Sequence, residues 1–109
     1  MTIQKPTPDN AAIVLIDHQI GTMNWAKSVD RVLIEANTRA LARVAVALGM
    51  PLVLTSSMEE HMQGPLFPAL EDIAPDAFAA RVKRPGVVNC WDDSAFADAC
   101  RNTGRKHFV

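Results

Sequence analysis

The chain has 109 residues, a formal net charge of -1, 49% apolar residues and 21% charged residues, a composition that fits one globular domain and argues against disorder. The small net charge offers no basic field for nucleic acid, and no apolar run is long enough to span a bilayer. The polar start MTIQKPTPDN lacks the apolar core of a secretory signal, and two cysteines without an export signal read as free thiols, so the cytoplasm is the expected compartment.

Residues 1–10, with two prolines, read as an arm or loop. Ala12–Ile16 then runs without a polar residue into Asp17, and an uninterrupted, β-branched stretch of this kind fits a strand covered on both faces of a parallel sheet. Asp17 stands at the carboxyl end of that strand, where open α/β sheets bind ligands. On these residues alone it reads more readily as a turn cap than as a working carboxylate. The segment after it contains a single glycine, Gly21, so it forms no phosphate-cradling loop of the GxGxxG or GxxxxGK[ST] kind, and a nucleotide-binding module is disfavoured.

Ser28 is placed to cap a long helix ending at Leu48. Val29, Val32, Leu33, Ala36, Ala40, Leu41, Val44 and Leu48 recur at three- and four-residue spacing as one apolar stripe, Asp30 complements the helix dipole in the first turn, and Gly49 supplies the left-handed stop. Met50–Thr55 reads as a second buried strand, which makes a right-handed βαβ unit with the first. Ser56–Gly64 is a polar loop, and Pro65–Ile73 can hold a short helix with Pro65 at its first position. Ala77–Val82 is a weakly patterned third strand, ended by a turn at Lys83-Arg84-Pro85-Gly86. Val87–Trp91 is a loop. Asp92 or Asp93 caps a second helix to about Thr103, with Ala95, Phe96, Ala99 and Cys100 buried, and Gly104 closes it. Lys106–Val109 reads as the opening of a further strand, so 1–109 is expected to be one part of a larger single domain, although a short C-terminal edge strand fits the same residues.

Several residues are candidates for chemistry. Asp17 and Lys83 both follow strand-like segments whose ends meet at one edge of a parallel sheet. A carboxylate beside an ammonium there could activate a third group, although an ordinary ion pair fits the spacing better. Cys90 precedes a helix and Cys100 lies on a buried stripe; a loop thiol and a core residue are the simpler readings. Glu59, Glu60 and His61 are too few and too local for a zinc site, and His18 is expected to point away from its neighbour Asp17. Met58, Met62, Trp25 and Trp91 fit an apolar pocket, the core or a subunit contact equally well.

Taken together, IVLIDHQ after a polar arm, a long helix ending in G-x-P, the LVLTSS strand, RVKRPGVVNCWDDSAF and the TGRKHFV strand entry resemble the isochorismatase-like cysteine hydrolases, in their YcaC-related amidohydrolase branch. The resemblance runs from about Ala11 to Val109. It implies an α/β fold, a Rossmann-like three-layer sandwich whose parallel sheet has the order 3-2-1-4-5-6, with this chain supplying about the first four strands. It implies a mechanism in which Asp17 takes a proton from a cysteine thiol, Lys83 favours the thiolate, and the thiol attacks a small amide or related C–N compound. The family's cysteine falls beyond Val109, so neither Cys90 nor Cys100 inherits that role. Gln19, Trp25 and Asn89 lie in loops that border the implied substrate pocket. The nicotinamidase branch's metal-binding aspartate and histidines have no counterpart in Ser56–Gln63, so no metal or other cofactor is expected. The resemblance also implies a homo-oligomer acting on a small molecule. The competing expectation is an inactive fragment or pseudoenzyme that serves as a binding or assembly partner.

Overall fold

A computed structural model describes residues 2–109. Its elements are β1 (Ala11–Ile16), α1 (Ile20–Asn24), α2 (Arg31–Ala47), β2 (Leu52–Ser57), α3 (Ala69–Ile73), α4 (Pro75–Ala79), β3 (Val82–Arg84), α5 (Ser94–Asn102) and β4 (His107–Phe108). The strands form one four-stranded sheet in the order β3-β2-β1-β4, every pairing parallel. This is the first part of the expected order, and the fold is α/β as expected.

The apolar β1 run explains the three layers. Successive side chains alternate between faces. Ile13 and Leu15 pack with Leu54, Leu66, Leu70 and the α2 alanines Ala42 and Ala45. Val14, facing the other way, packs against a cluster of Val53, Cys90, Phe96 and Cys100. Helices α2 to α4 therefore cover one face and α5 the other. Right-handed crossovers require this, because the chain steps outward from β1 to β3 and then returns to the far side of β1. Each large aliphatic side chain buried here contributes about 1.5–3 kcal/mol.

Four local expectations are corrected. The cap of α2 is Asp30 rather than Ser28: its extended backbone lets the carboxylate accept from the Val32 amide. The sheet-facing residues of α2 are Thr38, Ala42 and Ala45, small side chains that let the helix lie close to the strands, whereas Val32, Leu33, Leu41, Val44 and Leu48 of the expected stripe remain exposed. The segment expected as a third strand opens with Pro75, which starts α4, and the true strand is short and later, so Lys83 and Arg84 belong to it and not to a turn. In α5, capped by Asp93 through the Phe96 amide, Ala97 is buried and Ala95 exposed. The short helix α1 was not expected at all.

Candidate active site

The register decides which side chains meet. Thr55, Ser56 and Ser57 of β2 lie opposite Val82, Lys83 and Arg84 of β3. Neighbours in register share a face. Thr55, Ser57 and Arg84 thus lie on the α5 face with Val53, while Ser56 and Lys83 lie on the α2 face with Leu54.

Strict alternation would send Asp17 to the face of Ser56 and Lys83, because Ile16 is in register with Thr55. The chain departs from that pattern at Asp17 itself. Its φ is +60°, in the left-handed region that aspartate tolerates better than most residues, and its amide still donates to the Thr55 carbonyl at 3.0 Å. The carboxylate is thereby turned to the other face and meets Arg84. Nη1 donates to Oδ1 at 2.9 Å and Nη2 to Oδ2 at 3.0 Å, the two-point fork that matches guanidinium to carboxylate.

Arg84 is held on every side. Its Nε donates to the Val87 carbonyl at 3.1 Å and its Nη1 also to Thr55 Oγ1 at 3.1 Å, while Thr55 donates to the Val82 carbonyl. Its side chain is 1% exposed, against 28% for Asp17. The hydrogen bonds to Asp17 raise the guanidinium pKa further, so the cation is permanent. The pair therefore presents a fixed buried positive charge behind a carboxylate that solvent can reach.

Arg84 is the functional candidate that sequence reasoning missed. Lys83 and Arg84 are adjacent and basic, and with the strand placed too early both fell in a turn, where alternation says nothing about direction. Lys83 is exposed and takes no part in the pair. It borders a cleft of about 390 Å³ with Met58, Glu59, Glu60, His61, Arg84 and Pro85. In that cleft Glu59 is bound at both oxygens by Arg81, at 2.8 and 3.2 Å, and accepts from Ser56 Oγ at 2.5 Å. The Arg81 hydrogen bond holds the Glu59 carboxyl below the usual range.

Gln19 was expected to border the substrate pocket. The residue is fully buried and its amide is spent on backbone. Nε2 donates to the carbonyls of Ser57 and Gly64, and Oε1 accepts from the Ser57 amide. It staples the loop after β2 to the end of β1. Gly21 completes that docking, since a Cβ there would stand 1.9 Å from the Met62 carbonyl oxygen. Asn89 is exposed and caps a 3-10 turn at Cys90–Asp92 by accepting from the Trp91 amide. Trp25 is half-exposed at the end of α1. Among the described residues neither is hydrogen-bonded to the Asp17–Arg84 pair.

The remaining candidates separate. His18 Nδ1 is buried without a partner, and burial lowers the imidazole pKa against the pull of Asp17. Both thiols are free and buried, and burial pushes both pKa values up; for Cys90 the nearby Arg84 pulls in the opposite direction without prevailing. Trp91 packs edge-on against Phe96 and Phe108, while Met62 is exposed, so the methionines and tryptophans do not form one pocket. Among the described residues no helix is long and apolar enough to cross a membrane.

The chain is 34% identical over 101 residues to "Probable hydrolase YcaC" of Escherichia coli, covering 93% of this chain and 48% of that protein. It superposes on YcaC of Pseudomonas aeruginosa, solved with hexane-2,5-diol and covalent acrylamide, with a TM-score of 0.91 and 32% identity over 99% of this chain and 52% of the other. Over the part that matches, the chain is a homologue of these YcaC proteins. The crystal structure of Escherichia coli YcaC, described as an octameric hydrolase of unknown specificity, matches with a TM-score of 0.86 and 34% identity over 96% of this chain and 52% of the other. No family model matches. The chain thus spans about half the length of the YcaC proteins it matches.

Proposed function

We propose that this chain carries the acid–base part of a hydrolase active site of the isochorismatase-like cysteine hydrolase type, cleaving a small amide or related C–N bond. The observation that carries the reading is the two-point Asp17–Arg84 pair at the carboxyl edge of the sheet, with the carboxylate as its accessible member. In this scheme Arg84 takes the role that the resemblance gave to Lys83. Asp17 accepts the proton of a thiol supplied from outside these 109 residues. The thiolate attacks the substrate carbonyl, an acyl-enzyme forms as the C–N bond breaks and the amine leaves with a proton, and Asp17 then draws a proton from the attacking water. The fixed charge of Arg84 favours both the thiolate and the developing oxyanion. Gln19 becomes a positioning residue, and Trp25 and Asn89 remain candidates for the pocket wall.

Kinship with YcaC supports hydrolysis as the reaction class. The covalent acrylamide on the Pseudomonas aeruginosa protein fits a nucleophilic thiolate, which adds readily to such electrophiles. The octamer of the Escherichia coli protein favours a homo-oligomeric assembly here too.

The test is amine or ammonia release from a panel of small amides by the hydrolase that contains this segment. Asp17→Asn, which preserves the left-handed backbone, is expected to lower turnover by about 10²–10⁴-fold with circular dichroism unchanged, while Lys83→Ala stays near wild type. Undiminished turnover in the Asp17 variant would refute the base. Silence of the wild-type protein across the panel would favour the inactive binding or assembly partner. A second measurement locates the nucleophile. Native 109-residue chain incubated with acrylamide should remain unmodified at Cys90 and Cys100, and rapid native alkylation of Cys90 would place the reactive thiol inside this chain.

A further inference from the structure

Among the described residues, only Asp17 (φ +60°) and Met58 (φ +48°) take the left-handed backbone without being glycine. They occupy equivalent places, each directly after its strand, at the ends of the neighbouring strands β1 and β2. Aspartate tolerates this conformation, whereas methionine has no short polar group to ease it, and such strain persists only where the surroundings enforce it. Here they do. The Met58 amide donates to the Arg84 carbonyl at 3.2 Å, and the Met58 carbonyl accepts from the His61 amide at 3.0 Å. The thioether reaches the turn after β3, where a Cβ added at Gly86 would stand 3.0 Å from Sδ and 3.5 Å from Cγ. In that same turn the Val87 carbonyl accepts from Arg84 Nε. Met58 is thus tied to Arg84 by its backbone and lies on the loop that holds the guanidinium.

Met58 is only partly buried, and with Pro85 it supplies the apolar lining of the cleft of about 390 Å³ that Arg84 also borders. A cleft of this size takes a small molecule. An unbranched, polarizable thioether adapts to aliphatic groups of differing shape, and the enforced backbone keeps it beside the residue that carries the fixed charge. We infer that Met58 is a specificity-determining residue of this site, its side chain forming the wall on which the acyl group of a short aliphatic amide lies while the carbonyl faces the Asp17–Arg84 pair. The inference deepens the amidase reading and rests on it for the reaction, though not for the binding of the amide.

The test uses the hydrolase that contains this segment, with isobutyramide as the probe. In the Asp17→Asn protein, labelled with carbon-13 at its methionine methyls, titration with isobutyramide is expected to shift the Met58 methyl resonance saturably. Loss of that signal in Met58→Leu assigns it. The methyls of Met62, exposed and outside the cleft, and of Met23, buried, are expected to stay in place. In the otherwise unsubstituted enzyme, Met58→Ala should raise kcat/KM for isobutyramide relative to acetamide by about tenfold, with kcat for acetamide within about twofold, and Met58→Leu should stay near wild type. A Met58 methyl that isobutyramide leaves unmoved, or a Met58→Ala variant that scales both amides by one factor, would overturn the proposal. A saturable Met58 shift in a protein that hydrolyses no amide would uphold the wall and sink the catalytic reading instead.

Discussion

Asp17–Arg84 and Glu59–Arg81 are both two-point arginine–carboxylate pairs at the carboxyl edge of one sheet, on opposite faces. They are built in opposite senses. In the first, the arginine is sealed in and spends two further hydrogen bonds on Val87 and Thr55, while each Asp17 oxygen accepts once from Arg84 and remains approachable. In the second, the carboxylate is the more enclosed partner, taking two bonds from Arg81 and one from Ser56, and Arg81 rests on the Phe78 ring with its centre 4.5 Å away. A carboxylate bound by three donors is a structural fixture. One backed by a buried cation and open to solvent can exchange a proton with a ligand.

The largest expected difference follows from which partner is buried. Asp17→Ala leaves the Arg84 cation without its counter-charge in a site that is 1% exposed, and removing one member of such a pair costs about 3–5 kcal/mol. Glu59→Ala leaves Arg81, which is partly exposed and can hydrate, so the loss is expected to be about 1–2 kcal/mol. Urea denaturation of both variants measures the two values. Equal losses would erase the distinction between the pairs.

This comparison also marks where the sequence was readable. The apolar run of β1, the β1-α2-β2 unit and the placement of Asp17 at the sheet edge follow from local patterns that carry their own period. The partner of Asp17 does not. It depends on a three-residue strand whose register is set by pairing with β2, and on one left-handed residue that breaks the alternation. Neither leaves a periodic trace. Gln19 is a related case: polar residues beside a site suggest ligand contacts, and only the tertiary fold reveals that its amide is saturated by Ser57 and Gly64. The apolar stripe of α2 is legible in the same way, but hydrophobic spacing identifies an apolar face without saying what covers it.

Gln19 links the two pairs, because the loop it staples to β1 carries Glu59. Gln19→Leu keeps the bulk and removes the amide, leaving the Ser57 amide and two carbonyls short of partners, at an expected cost of about 1–3 kcal/mol. Hydrogen exchange should then rise across 57–64 while the amide of Asp17, bonded to Thr55, stays protected. Loosening at both places would mean that the two ends of the edge move as one unit.

The smallest effect is in the pH dependence. The Glu59 carboxyl is held below its ordinary value of 4.5, first by its hydrogen bond from Arg81. A carboxyl with a lowered folded pKa binds protons more readily in the unfolded chain, so acid favours unfolding. Its stabilising contribution is therefore complete above pH 4.5 and is lost as the pH falls through the folded value. Glu59→Gln cannot titrate, and lacks this component. Its urea midpoint should fall less steeply than that of the wild-type chain below about pH 4.5, with the gap between the two curves narrowing as acid neutralises the wild-type carboxyl. Parallel curves over that range would show that the Arg81 pair adds no proton-linked stability, and would remove the ground for treating Glu59 as the fixed member of the comparison.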